Sequence, residues 1–119
     1  SGFGPLCIMI RKSFVMTLHP GQSALYEDRH NPIWPELEQV LKDHGVYQYS
    51  IFLHPDERSL LAYAEIETEE QWEAIASTPV CQRWWQFMQP LMQCHQDGRP
   101  KTTDLKEVFR LKSTTATAS

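Results

Sequence analysis

Imidazole changes charge closer to neutrality than any other ordinary side chain, with an unperturbed pKa of about 6.5. One of the five histidines of this chain stands where that property has a use. His30 falls in the string Tyr26-Glu27-Asp28-Arg29-His30-Asn31-Pro32-Ile33-Trp34-Pro35-Glu36-Leu37. Tyr26 and His30 are four residues apart and share a helix face. Pro32 disfavours helical geometry at Asn31, so the helix breaks at His30, where side chains open into a cleft rather than a core. The chemistry on offer is proton transfer by a general acid or base. A lone histidine is more often a surface or capping residue, and it is the aromatic company at helical spacing that makes this one a candidate.

A second string, Pro79-Val80-Cys81-Gln82-Arg83-Trp84-Trp85-Gln86-Phe87-Met88, places two tryptophans side by side. On a helix Trp84 and Trp85 point about 100° apart, so one of them faces away from the core that takes the other. Sugars have apolar C–H faces that stack on such rings, and hydroxyls that need polar groups beside them. On pattern alone, core or interface packing explains the pair slightly better. Tyr47 and Tyr49 share a face of a predicted strand, and the Tyr49 phenol is placed to meet a ligand, although strand tyrosines mostly pack.

Other reactive side chains have simpler explanations. His19, His44, His54 and His95 fall at predicted turns or loops. Glu65, Glu67, Glu69 and Glu70 surround a helix start, where negative charge suits the helix dipole. The chain has no phosphate-cradling glycine loop, no G-x-S-x-G elbow and no H-E-x-x-H pair. Cys7, Cys81 and Cys94 form no C-x-x-C pair, which argues against a disulfide framework or a zinc site. No metal site is expected.

These residues must be held by a small number of elements. Phe14, Met16 and Leu18 alternate with Ser13, Val15 and Thr17, predicting a strand over 10–18. His19-Pro20-Gly21 turns the chain into a helix from Gln22 towards His30. Pro35 opens a second helical segment with Leu37, Val40 and Leu41 on one face, and Gly45 stops it. VYQYSIFL (46–53) is a strand by composition, 54–59 is turn chemistry, and 60–66 returns as the other arm of a hairpin. Thr68 and Gln71 form a capping box. Thr78-Pro79 interrupts that helix and starts another over 80–92. A polar loop follows over 93–103, then LKEVFRL (105–111) alternates as a final strand. The order is β-α-β-β-α-β with each helix divided by proline, a ferredoxin-like α+β arrangement with the helices on one face of an antiparallel sheet. The uncovered face calls for a second subunit, so a homodimer is expected.

Composition sets the outer limits. With 119 residues and 41% hydrophobic content the chain builds one packed domain. A net charge of −4 without a basic cluster beyond Arg11-Lys12 disfavours nucleic acid. No apolar run approaches the roughly 18 residues of a membrane span. Residues 1–8 read as an extension or cloning scar without the features of a signal peptide, residues 9–112 as the domain, and 113–119 as a frayed polar tail. Reduced thiols and no export signal point to the cytoplasm.

The two long strings also resemble those of the L-rhamnose mutarotase family. The similarity begins at Met9-Ile10-Arg11-Lys12 and runs through R-H-N-P-I-W-P-E-L (29–37) and A-S-T-x-V-C-Q-R-W-W (76–85). It ends with E-V-F (107–109), so nearly all of the chain after Met9 is covered. The resemblance implies a dimeric α/β barrel of ferredoxin-like subunits and an aldose 1-epimerase activity on L-rhamnose or a similar 6-deoxy sugar, with no cofactor. It implies His30 as proton donor, and Tyr26, Tyr49, Trp84 and Trp85 as the sugar-binding set. Two other readings stand beside it. One is a cofactor-free monooxygenase of the same dimeric barrel, and the other is a non-catalytic sugar-binding module.

Overall fold

The computed structural model of the chain describes residues 9–112. The expectations for 1–8 and 113–119 lie outside the described residues. Four strands form one antiparallel sheet in the order β2-β3-β1-β4: β1 is Ile10–Thr17, β2 Val46–Leu53, β3 Ser59–Ile66 and β4 Thr103–Asp104. Between β1 and β2 lie α1, Ser23–Arg29, and α2, Pro35–Asp43. Between β3 and β4 lie α3, Glu69–Ile75, and α4, Pro79–Met88. This is the ferredoxin-like βαββαβ topology with each helix split in two.

Side-chain alternation sorts the sheet into two faces. Phe14 and Met16 of β1, and Leu60, Ala62, Ala64 and Ile66 of β3, are buried on the face that the helices cover. From the helices, Tyr26, Leu37, Trp84 and Met88 complete the main core, with Leu18, Leu91 and Met92 from the loops. The opposite face carries Val15, Leu61 and Phe52, which stand in one registered row across three strands. Of that row Leu61 and Phe52 are exposed.

The punctuation seen in the sequence works as physical caps. Thr68 Oγ1 accepts the Gln71 N–H at 3.1 Å, and Thr78 Oγ1 accepts the Cys81 N–H at 3.3 Å while donating to the Ile75 carbonyl at 2.7 Å. Pro35 and Pro79 occupy first-turn positions, where a missing N–H costs nothing. Gly45 takes φ +78° to stop α2, and a Cβ there would lie 2.8 Å from Glu67 Cβ, so both the conformation and the space demand glycine.

Two expected elements differ. The helix expected to reach Met92 ends at Met88 and tightens into a 3₁₀ turn over Gln89–Leu91. Pro90 has no N–H to donate and crowds the carbonyl four residues back, so an α-helix cannot run through it. The final strand expected over 105–111 does not form. β4 pairs with β1 only at Thr103 and Asp104, and one further bond joins the Leu105 N–H to the Ser13 carbonyl at 2.9 Å. Beyond that the chain continues as an arm with Val108 88%, Phe109 76% and Leu111 82% exposed, tied back through an Arg11–Glu107 ion pair. The apolar alternation is real, but within one chain it finds no surface to bury against.

Candidate active site

A cleft of about 1000 Å³ opens between the covered face of the sheet and the helices. Its lining includes all five residues singled out above: Tyr26, His30, Tyr49, Trp84 and Trp85. The volume is at the upper end for a small-molecule site, so a monosaccharide fills only part of it.

His30 caps the C-terminus of α1 and is half-buried. Its Nδ1 lies 2.9 Å from the Tyr26 carbonyl oxygen. A carbonyl only accepts, so the neutral ring carries its proton on Nδ1 and leaves the lone pair of Nε2 free. Nε2 has no partner among the described residues and is not sealed from solvent, and His30 is part of the cleft lining. Burial lowers the imidazole pKa from 6.5, and the hydrogen bond to Tyr26 opposes that shift with a smaller effect. The ring stacks on the Tyr26 phenol at 4.4 Å between centroids and meets Trp84 edge-on at 5.2 Å. The i, i+4 spacing in α1 produces that stack.

Tyr26 is buried and Tyr49 half-buried. Burial pushes both phenols above their ordinary pKa of 10, and each is raised further by a neighbour, Tyr49 for the first and Cys81 for the second. Both hold their protons across the physiological range. Neither hydroxyl has a hydrogen-bond partner among the described residues and neither is sealed away, so both remain available as donors. Tyr49 reaches the cleft from β2 because it pairs with Ala64, on the covered face of β3.

The adjacent tryptophans separate as the helix requires. Trp84 is buried, in line with Cys81 and Met88 on the core side of α4, and packs against Trp34 at 5.1 Å and Phe87 at 5.8 Å. Trp85 is half-buried and lines the cleft. Thus Tyr26, His30 and Trp84 form one stacked group, while Tyr49 and Trp85 stand on other parts of the wall.

Three supporting residues were missed. Trp72 of α3 packs its ring against Tyr49 at 5.8 Å and Phe14 at 6.1 Å. Its signal was its spacing of three from Ile75 in an otherwise polar helix. Trp34 lay inside the quoted string but was given no role. Arg29 places its guanidinium 4.0 Å from the Phe87 ring centroid and donates to the Phe87 carbonyl. That contact clamps the residue next to His30 onto the end of α4, and only the tertiary structure reveals it.

Such a cleft suits moving protons on a neutral ligand with one apolar face. A ferredoxin-like chain with such a cleft has the make-up of a small enzyme. The comparisons narrow the class. Residues 11–111 match the family described as L-rhamnose mutarotase. L-rhamnose mutarotases of Opitutus terrae and Klebsiella pneumoniae are 58% and 54% identical over 103 residues, covering 87% of this chain and 99% of each relative. The crystal structure of L-rhamnose mutarotase FA22100 from Formosa agariphila superposes with a TM-score of 0.78 at 37% identity, over 87% of this chain and 99% of that one. The chain belongs to the L-rhamnose mutarotase family. A Nitrosomonas europaea protein described as a candidate antibiotic biosynthesis monooxygenase has a TM-score of 0.60 at 13% identity, over 85% of this chain and 91% of that one, and shows the shared fold alone.

Proposed function

We propose that this cleft interconverts the α and β anomers of L-rhamnose, with His30 as the acid–base residue. The observation that carries the reading is His30 Nδ1 held 2.9 Å from the Tyr26 carbonyl oxygen, in a cleft that Tyr26 and Tyr49 also line. Mutarotation removes the proton from the anomeric hydroxyl, breaks the bond between C1 and the ring oxygen, and gives that oxygen a proton. The open aldehyde turns about C1–C2, and the same steps in reverse close the ring on its other face. Neutral His30 takes the anomeric proton on opening. As imidazolium it returns that proton to the carbonyl oxygen on closing. The ring oxygen exchanges its proton with a phenol in concert, or with a water in the cleft. A positioned acid–base pair contributes about 10²- to 10⁴-fold, enough for a reaction that already proceeds in water. No electron or group is transferred, so the step asks for no cofactor.

Tyr26 and Tyr49 bind hydroxyls, Trp85 stacks on the sugar, and Trp84 backs His30. The methyl of a 6-deoxy sugar gains from burial against such aromatic surface. The test is anomer exchange measured by saturation-transfer NMR on L-rhamnose, L-mannose and D-glucose. L-rhamnose exchanges fastest and L-mannose more slowly, since an apolar pocket rejects one added hydroxyl by only about 10²-fold. D-glucose is poorest, because hydroxyls of the wrong stereochemistry leave buried polar groups unpaired. Equal rates on all three overturn a rhamnose pocket.

The working unit on this reading is a homodimer. The uncovered row of Val15, Leu61 and Phe52 and the exposed Val108, Phe109 and Leu111 support it, because apolar side chains on this scale gain from a partner surface. Cys81 and Cys94 are free thiols, which supports a reducing compartment, the cytoplasm.

A further inference from the structure

The loop over 93–103 has no role in the reaction as derived so far, yet its backbone is closely specified. Cys94 and Pro100 bridge, His95 N–H bonds to the Arg99 carbonyl at 2.8 Å, and Gly98 N–H bonds to the His95 carbonyl at 3.0 Å. Gly98 takes φ +94°, and Asp97 Oδ1 accepts the Arg99 N–H at 3.0 Å. The Gln93 N–H bonds to the Thr17 carbonyl at 2.9 Å, which fastens the hairpin to the end of β1. The result is a tight turn fixed to the sheet, and Arg99, Pro100 and Thr102 of this loop line the cleft, Arg99 being the charged one.

The Arg99 guanidinium carbon sits 5.8 Å from the Trp85 ring centroid, within the roughly 6 Å at which a cation and an aromatic face attract. Three cationic side chains line the cleft: Lys12, Lys42 and Arg99. Lys12 is paired with Glu69 at 3.0 Å and Lys42 with Glu38 at 3.1 Å. The Arg99 side chain makes no hydrogen bond or ion pair among the described residues. Five N–H donors in a planar fork therefore stand unspent beside an indole.

We propose that Arg99 is a substrate-binding residue of this enzyme, donating from its guanidinium to two adjacent hydroxyl oxygens of the sugar stacked on Trp85. The proposal rests on the mutarotase reading for the identity of the ligand. A pyranose has an apolar face and a rim of vicinal oxygens, and an indole with a guanidinium 5.8 Å over its ring offers both counterparts at once. The hairpin is then the element that sets which hydroxyls are recognised, while His30 performs the proton transfer at the anomeric centre.

The test is Arg99→Met, which keeps an aliphatic stem on Trp85 and removes the donors. Exchange kinetics are measured on L-rhamnose and on its 2-deoxy, 3-deoxy and 4-deoxy analogues, with wild type alongside. KM for L-rhamnose rises about 10- to 100-fold, the range for a hydrogen bond to a charged group, while kcat holds. At least one deoxy analogue that binds more weakly than L-rhamnose to wild type binds the variant as well as L-rhamnose does. A purely structural role for Arg99 would not erase that difference. Arg99 is exposed, so the melting temperature stays at the wild-type value. Should it fall, Arg99→Gln is measured in the same way. Wild type that exchanges L-rhamnose while the variants keep its KM and its deoxy discrimination overturns Arg99 alone. Wild type that exchanges no anomers overturns the mutarotase reading and this proposal with it.

Discussion

His30 Nδ1 donates its proton to the carbonyl oxygen of Tyr26, four residues earlier on the same helix, across 2.9 Å. Because the two residues also stack through their rings, one short stretch of helix fixes both the tautomer and the direction of the remaining lone pair. Burial lowers the pKa of this imidazole below 6.5, so at neutral pH the ring is uncharged and ready to accept. The sign for catalysis follows from that. As pH falls below 6.5 and through the lowered pKa, Nε2 becomes protonated and can no longer take the anomeric proton. The kcat/KM for L-rhamnose exchange is accordingly level from neutrality upward through pH 8 and declines on the acid side, with its midpoint below 6.5. A rate that climbs on acidification would mean that the imidazolium starts the reaction.

The phenols separate binding from chemistry. Tyr26→Phe and Tyr49→Phe each remove a hydroxyl and little packing. A hydrogen bond between neutral groups is worth about 0.5–1.5 kcal/mol, so KM for L-rhamnose rises by about 2- to 10-fold in each variant. A loss in kcat that approaches that of a His30 variant would instead make that phenol the second proton-transfer group.

Trp84 and Trp85 differ in what they cost. Trp84 is buried among Trp34, Phe87 and His30, and Trp84→Ala destabilises the fold by about 3–5 kcal/mol, as for other large core aromatics. Trp85 is half-exposed on the cleft wall, and Trp85→Ala loses sugar affinity while most of the melting temperature is kept. Thermal melts paired with fluorescence titration by L-rhamnose distinguish the two. Equal melting losses would place both rings in the core.

How far this arrangement was legible in the sequence depends on whether a signal was local. Prolines 32, 35 and 79, Gly45 and the Thr68 and Thr78 caps act within a few residues, and each marks a boundary that the fold keeps. The i, i+4 relation of Tyr26 to His30 was legible for the same reason. Contacts between distant segments were not. Arg29 on Phe87, Trp72 on Tyr49 and Arg99 over Trp85 join elements that no sequence period connects. The LKEVFRL arm failed differently. Its alternation predicted a half-buried strand, but alternation does not specify a partner strand, and Val108, Phe109 and Leu111 stand exposed.

That arm yields a prediction about assembly. Phe109 and Val108 are among the most exposed apolar side chains of the described residues. Wild type runs as a dimer in size-exclusion chromatography with light scattering at micromolar concentration. Phe109→Glu combined with Val108→Lys shifts it towards monomer, since charge at a buried apolar contact costs far more than it gains. A wild-type protein that is purely monomeric under those conditions contradicts the dimer.

The most direct test is saturation transfer between the anomeric protons of L-rhamnose with wild-type protein and with His30→Gln, each checked by thermal melting. Wild type exchanges magnetisation between anomers well above the buffer rate. His30→Gln, which keeps the size and polarity of the ring but cannot carry the proton, falls by about 10²- to 10⁴-fold while still folded. A folded His30→Gln protein that exchanges the anomers as fast as wild type contradicts the assignment.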